Sequence, residues 1–136
     1  MNKPTVEVRP VTLLPTPMGC GMFLSDGKKT VLIYIDPSIG ASMNDVLRGD
    51  KPERPQSHDF FYSFMKGMDA QMVGAHIVRE EEDVFFASAI FKVENSAKKK
   101  QIVQLDCRPS DCISMAVRFD IPIFFMEEIW ERQPDV

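Results

Sequence analysis

The chain has 136 residues, of which 44% are hydrophobic and 26% are charged, and its net charge is −4. This balance is typical of one soluble globular domain, and the acidic excess argues against broad electrostatic binding of nucleic acid, although a local basic patch is compatible with it. No apolar stretch reaches the roughly 20 residues of a membrane span, and MNKPTVEV lacks the apolar core of a signal peptide, so we expect a cytoplasmic protein.

The first part of the chain has the pattern of strands. Val6 and Val8 alternate with polar residues, which predicts a strand near residues 4–11. Residues 18–24 and 30–35 are apolar and flank SDGKK, a hairpin signal. Because the run at 30–35 is apolar on both faces, we expect it to lie centrally in a sheet.

Two helices are predicted next. The first covers residues 40–47, where apolar residues recur at helical spacing before Gly49. The second begins after an N-cap at Ser57 and ends at Gly67. We expect its buried stripe to consist of Phe60, Phe61, Phe64 and Met65.

The remaining elements alternate between strands and a helix. We predict strands at 72–79, 84–93, 101–107 and 121–125, a helix at 109–118, and a helical turn at EEIWE. The fold class expected from this order is α+β: one compact domain over residues 1–136, with a mixed or antiparallel sheet and about three to four helices.

DCRPSDC, residues 106–112, lies at a strand-to-helix junction. Strand alternation would place Asp106 and Arg108 on one face. Pro109 suits a first helical turn, and Ser110 and Asp111 would lie among unpaired backbone N–H groups that favour anions. The alternative is an ordinary helix start in which Arg108 pairs with Asp106.

PERPQSHD, residues 52–59, repeats this arrangement with Arg54, Ser57, His58 and Asp59. The positive end of a helix disfavours imidazolium, so a neutral His58 is expected, which is suited to act as a general base or metal ligand. The alternative is a solvent-facing histidine beside a capping serine.

The remaining motifs argue against nucleotide-binding loops, disulfides and zinc sites. GCG lacks the third glycine of a dinucleotide fingerprint, and GMFLSDGKKT has the wrong spacing for a phosphate loop, so we expect no nucleotide or haem cofactor. Cys20, Cys107 and Cys112 form no CxxC, and small buried thiols are expected rather than a disulfide framework or zinc site.

Taken together, GCGMFL, KTVLIYID, RPQSHDFF, VFFASAIF, DCRPSDCISMAVRFDIPIFF and EEIW resemble, in this order, the bifunctional nuclease domain family, from about residue 20 to 129. The resemblance implies a compact α+β fold, a homodimer and a nuclease acting on RNA and DNA. The family's polar positions fall on residues of the two helix starts: His58, Asp59, Asp106 and Asp111 as candidate catalytic residues, and Arg54, Arg108 and Ser110 as candidate substrate-binding residues.

At one position the chain departs from the pattern of the family that it resembles. The family usually has a glutamate at the start of the helix after the IYI strand, and the aligned residue here is Ile39.

One hypothesis for the function is phosphodiester hydrolysis with Mg²⁺ or Mn²⁺ held by Asp106 and Asp111. The other is a non-catalytic binding or regulatory module. For a homodimer, exposed strand edges and IPIFFMEEIW are the expected interface.

Overall fold

The computed structural model describes residues 3–136, which form seven strands and four helices. The elements are β1 (Thr5–Thr16), β2 (Gly19–Ser25), β3 (Thr30–Ile35), α1 (Pro37–Arg48), α2 (Ser57–Gly67), β4 (Ala70–Glu81), β5 (Val84–Glu94), β6 (Lys100–Cys107), α3 (Pro109–Phe119), β7 (Ile123–Met126) and α4 (Glu127–Arg132). The predicted α+β class is confirmed. The domain prediction includes Met1 and Asn2, which lie outside the described residues.

All seven strands join in one mixed sheet, with the order β3-β2-β1-β7-β4-β5-β6. The β4–β7 pair is parallel and the other pairs are antiparallel. The long β1 connects the two halves, because residues 5–8 pair with β7 and residues 9–16 pair with β2.

The prediction that residues 30–35 form a central strand is wrong, because β3 lies at the edge of the sheet. Its side chains alternate: Val31, Ile33 and Ile35 are buried, whereas Tyr34 is 46% exposed. The backbone N–H of Val136 donates to the Thr30 carbonyl, so the end of the chain covers part of this edge. An edge strand of a one-sided sheet needs only one apolar face.

The two faces of the sheet differ. Ile77, Ala87 and Phe125 pair across three neighbouring strands and are fully buried under the helices. The opposite face has His76, which stacks on Phe124 with ring centroids 5.6 Å apart. The core therefore lies on one face of the sheet.

The helices cover that face. Helix α1 packs on β1 and β2, α3 packs on β4 and β5, and both α1 and α2 contact α3.

Residues of β7 and α4 also belong to the core, since Ile123, Phe125 and Trp130 are at most 3% exposed. IPIFFMEEIW therefore contributes to the core, so its buried Phe125 and Trp130 are not available for the dimer interface expected there. Within residues 3–136, no helix is long and apolar enough to cross a lipid bilayer.

Helix α2 has the opposite orientation from the one predicted. Phe60, Phe61 and Phe64 are 72%, 54% and 59% exposed, and no residue of α2 is fully buried. The inward side carries His58 and Tyr62, whose ring packs edge-on against Phe119 of α3 at 4.8 Å. Of the predicted buried stripe, only Met65 packs against the core.

Gly40 sets the distance between α1 and the sheet, and this leads to a stability prediction. Glycine-to-alanine changes within helices usually stabilise by about 1 kcal/mol. At Gly40, however, a new Cβ would lie 2.7 Å from Cys20 Cβ and closer still to its Sγ. We expect Gly40→Ala to lower the free energy of unfolding by about 1–3 kcal/mol in urea denaturation.

Gly67→Ala is the matched control, because a Cβ at the end of α2 would meet nothing within 4 Å. It should be neutral or slightly stabilising. A Gly40→Ala protein as stable as the Gly67→Ala protein would contradict the close packing of α1 on β2.

Candidate functional site

A cleft of about 770 Å³ lies where three helices begin. Its walls come from the starts of α1, α2 and α3: Asp36, Ser38, Ile39, Ala41, Ser42, Pro55, Gln56, Ser57, His58, Arg108 and Asp111. Each helix start contributes partial positive charge from its backbone N–H groups. The two sequence motifs with Arg-Pro therefore contribute to the same cleft.

The start of α3 is organised by a fork between Arg108 and Asp111. Arg108 Nε donates to Asp111 Oδ2 at 2.8 Å, and Nη2 donates to Oδ1 at 3.1 Å. The Arg108 side chain is 68% exposed and the Asp111 side chain 29%. The alternative in which Arg108 pairs with Asp106 is wrong, because β6 ends at Cys107 and Arg108 turns with the helix start.

His58 joins α2 to α3 through both ring nitrogens. Nε2 lies 3.0 Å from Asp111 Oδ1, and Nδ1 lies 2.8 Å from Ser114 Oγ. Because Asp111 is a carboxylate, Nε2 donates and, in the neutral ring, Nδ1 accepts from the Ser114 hydroxyl. The imidazole is 13% exposed. The alternative of a solvent-facing histidine is wrong.

Arg118 lies behind His58 and is 3% exposed. Its guanidinium donates to Asp59 Oδ1 from Nε at 3.1 Å, to Ser42 Oγ from Nη2 at 2.6 Å, and to Ser114 Oγ from Nη1 at 2.6 Å. The three acceptors lie on α2, α1 and α3 respectively. Asp59 therefore neutralises a buried cation and does not line the cleft.

The structure separates Asp106 from the other predicted site residues. In register, Asp106 lies opposite Ser88, and it borders a shallow depression with Arg79 and Gln104 on the face of the sheet away from the helices. Its neighbour Cys107 faces α3 instead: it lies opposite the buried Ala87 in register, and the Cys112 thiol influences its pKa. Strand alternation explains the difference, because Asp106 and Cys107 point to opposite faces.

The two remaining predicted residues also lie away from the ligand-facing surface. Arg54 is exposed in the connection between α1 and α2 and is not part of the cleft wall. Ser110 is 7% exposed in the first turn of α3. Of the seven predicted side chains, His58, Arg108 and Asp111 line the cleft, and Asp59 supports it from behind.

The electrostatics of the cleft keep its carboxyl groups ionised. For Asp111, partial burial works to raise the pKa, but the hydrogen bonds and charge of Arg108 and the bond from His58 together lower it below the usual value. For Asp36, the Ser38 hydroxyl and backbone N–H lower the pKa, with a contribution from the charge of Arg108. At neutral pH the cleft holds two carboxylates and one guanidinium.

The arrangement does not fit the expected Mg²⁺ or Mn²⁺ site. Such ions need several oxygen ligands with defined geometry. Both oxygens of Asp111 already accept hydrogen bonds, and Asp106 faces away. Across residues 3–136, no three His, Cys, Asp or Glu side chains lie close enough together to hold a metal ion.

Comparison with known proteins identifies the family. The model of the bifunctional nuclease domain matches residues 22–135. The chain belongs to the bifunctional nuclease domain family. Two uncharacterized proteins of Mycobacterium tuberculosis, one of strain CDC 1551 and one of strain H37Rv, are each 26% identical to the chain over 105 residues. The matched region covers 77% of this chain and 59% of each relative.

Arg118, Ser114 and Ser42 are site residues that the sequence analysis missed. Asp111, Ser114 and Arg118 are three and four residues apart, so they lie on one face of α3. An arginine in line with a serine and an aspartate on an otherwise apolar helix is a signal that could have found two of them. Ser42 has no comparable signal, because its role depends on how α1 packs against α3.

The lowered pKa of Asp111 predicts a pH-dependent contribution to stability. The stabilisation is present above the unfolded pKa near 3.9 and is lost as pH falls through the lower folded value. We expect Asp111→Asn to reduce the free energy of unfolding by about 1–2 kcal/mol at pH 7, measured by urea denaturation. The difference in the free energy of unfolding between the wild-type protein and Asp111→Asn should stay constant from about pH 8 to 5 and become smaller below about pH 4.

Asp106→Asn is the control for the same charge change within the same motif. Because Asp106 is exposed on the other face, its substitution should leave both the stability and its pH dependence unchanged. Equal effects of the two substitutions would mean that the Arg108 and His58 contacts contribute nothing.

Proposed function

We propose that this chain binds the phosphodiester backbone of RNA or single-stranded DNA in the cleft and hydrolyses it. The observation that carries the proposal is the meeting of three helix starts around Arg108 and the His58–Asp111 pair. Planar guanidinium donors and backbone N–H groups are complementary to phosphate oxygens. The family to which the chain belongs supports a nuclease-like role.

Each cleft residue has a distinct task in this proposal. Arg108 is largely exposed, so its remaining N–H groups contact the phosphate and stabilise charge that develops on it. Asp111 lines the cleft as a carboxylate; its Oδ2 accepts only from Arg108 Nε, so the remaining lone pair of Oδ2 orients the attacking water. His58 holds Asp111 in place through Nε2, and its N–H adds positive potential. His58 thus acts through Asp111, because both its nitrogens already have partners.

A second candidate function is phosphate binding without turnover. It is favoured by Ile39, which lines the cleft where the family usually has a glutamate, and by the engagement of both His58 nitrogens. In that case the cleft retains an anionic ligand, and the protein acts as a binding or regulatory module.

Oligonucleotide assays test the proposed activity. For Arg108→Ala we expect a 10- to 100-fold loss of affinity for single-stranded RNA and DNA, corresponding to about 1.5–3 kcal/mol for charge-assisted bonds, with a weaker salt dependence. For Asp111→Asn we expect hydrolysis to fall by about 100-fold or more. Arg79→Ala and Asp106→Asn, which change the same charges on the opposite face, should match the wild-type protein in both assays.

Hydrolysis that persists equally in all four variants would indicate a contaminating nuclease and contradict the proposal. Binding that depends on Arg108, without hydrolysis by the wild-type protein, supports the second candidate. In that outcome, Ile39→Glu tests whether a carboxylate at the family position restores turnover. The assays should be run with and without Mg²⁺ or Mn²⁺, since a requirement for either would mean that the ion binds with the substrate.

The homodimer expected from the sequence is also proposed, with a different interface. The outer face of α2 consists of Phe60, Phe61 and Phe64, followed by Met68, which is 57% exposed. Contiguous apolar patches of this kind mark interaction sites. Lys66 is the one basic residue of α2 apart from His58, whereas surfaces that stack nucleobases combine aromatics with a positive groove. We therefore assign this face to a second copy of the chain.

The patch is small, at roughly 400 Å² for each copy, so a dimer with micromolar affinity is expected. Sedimentation velocity should show a concentration-dependent dimer that the double variant Phe60→Ser, Phe64→Ser abolishes. Val84→Ser is the control, because Val84 is 57% exposed at a turn elsewhere. A wild-type monomer at high micromolar concentration would contradict the dimer.

The three cysteines are free thiols, which is usual for proteins of reducing compartments. On this ground we propose that the protein is cytoplasmic.

A further inference from the structure

The two cysteines of DCRPSDC bracket the fork between Arg108 and Asp111. Cys107 ends β6 and is half-buried, whereas Cys112 lies in the first turn of α3 and is 1% exposed. Neither has a role in the proposed chemistry. Both belong to the motif that connects the sheet to the cleft.

Neighbouring contacts place the two thiols side by side. Cys107 lies opposite Ala87 of β5 in register, and Cys112 Sγ donates to the carbonyl oxygen of the next residue, Ser88, at 3.8 Å. Both cysteines therefore lie against adjacent residues of β5, and the Cys112 side chain has the largest effect on the pKa of the Cys107 thiol. The two thiols are neighbours in the folded protein, five residues apart in sequence.

We propose that Cys107 and Cys112 form a redox modification site, at which a hydroperoxide converts the two thiols into a disulfide. The inference does not depend on the proposed function, because it rests only on the proximity of the two thiols beside β5 and on their positions in the motif.

The surroundings distinguish the two sulfurs. The neighbouring Cys112 thiol lowers the pKa of Cys107, although burial and the negative charges of Asp111 and Asp106 act in the opposite direction. The neighbouring Cys107 thiol and burial raise the pKa of Cys112. Because the thiolate is the nucleophile, the more accessible Cys107 attacks first and Cys112 completes the reaction.

The reaction balances with the hydroperoxide as sole oxidant. The Cys107 thiolate attacks the peroxide, so an S–O bond forms, the O–O bond breaks, and the leaving oxygen takes a proton. Cys112 sulfur then attacks Cys107 sulfur; the S–S bond forms, the S–O bond breaks, and the departing hydroxide takes the Cys112 proton as water. The thiol pair loses two electrons and two protons, and the peroxide is reduced to water and an alcohol, or to two waters.

Disulfide formation would alter the cleft. A sulfur–sulfur bond of about 2.05 Å is much shorter than a contact between two thiols, so Cys112 must move toward β6. Cys112 directly follows Asp111, which holds both Arg108 and His58. Oxidation therefore disturbs the fork and the His58–Asp111 hydrogen bond.

Peptide mass spectrometry tests the modification directly. Trypsin does not cut before Pro109, so both cysteines stay on the single peptide Gln101–Arg118. After treatment with equimolar hydrogen peroxide and alkylation, we expect this peptide to be two hydrogens lighter and unalkylated, and dithiothreitol should restore alkylation. Oxidation of Met115 is distinguishable, because it adds an oxygen.

Variants assign the two roles. Cys112→Ser should stop at a Cys107 sulfenic acid that dimedone traps, and Cys107→Ser should give neither product. Cys20→Ser should behave as the wild type, because Cys20 is buried elsewhere and burial raises its pKa. The His58 imidazole ¹⁵N resonances should shift on oxidation in the wild type and in Cys20→Ser, but not in Cys107→Ser.

Two results would overturn the proposal. One is that Cys107 and Cys112 remain alkylatable under peroxide that oxidises Cys20. The other is that the disulfide forms between chains rather than within the tryptic peptide.

Discussion

The buried guanidinium of Arg118 is the interaction on which the arrangement of the helices depends. An unpaired cation inside a protein destabilises the folded state by several kcal/mol, so the partners of a buried guanidinium must stay in place. Here they are Ser42 on α1, Asp59 on α2 and Ser114 on α3, all within 3.1 Å. One residue therefore sets how three helices meet. The cleft exists because these helices start around it.

From Arg118 a continuous series of hydrogen bonds leads out to the cleft. Ser114 accepts from Arg118 and donates to His58, whose other nitrogen donates to Asp111, which also accepts from Arg108. The series has a cation at each end, and its one carboxylate, Asp111, lies next to Arg108. Hydrogen bonds in such a chain polarise one another. The proposed phosphate binding, or the proposed oxidation of the adjacent thiol, would therefore act on a carboxylate that is connected by hydrogen bonds to the group that holds the helices.

The sequence predicted most elements, but not which face of α2 is buried. Helix starts and hairpins have local signals, and their bounds were nearly right. Helix α2 carries two stripes with helical spacing: the exposed Phe60 and Phe64, and the inward His58, Tyr62 and Met65. Periodicity alone cannot choose between two such faces. The inward face is selected by His58, whose partners come from a helix more than fifty residues later.

The same limit applies to the candidate site. Asp106 and Asp111 are close in sequence, and both are acidic, but one belongs to a strand and the other to a helix, so they diverge. Conversely, the sequence places Asp59 among the candidate catalytic residues, because nothing near it in sequence indicates that it neutralises the buried Arg118. Tertiary partners decide whether a carboxylate faces a ligand or neutralises a buried cation.

Ile39 bears on which chemistry the cleft favours. It lies in the first turn of α1, in the wall that also includes Asp36 and Asp111. A third carboxylate there would strengthen the attraction for a divalent cation and repel a bare phosphate. With an isoleucine there, the positive helix ends and the Arg108 guanidinium contribute a larger share of the charge around the cleft. Compared with a glutamate at this position, Ile39 makes the cleft less suited to metal ligation and better suited to the anion binding that both candidate functions require.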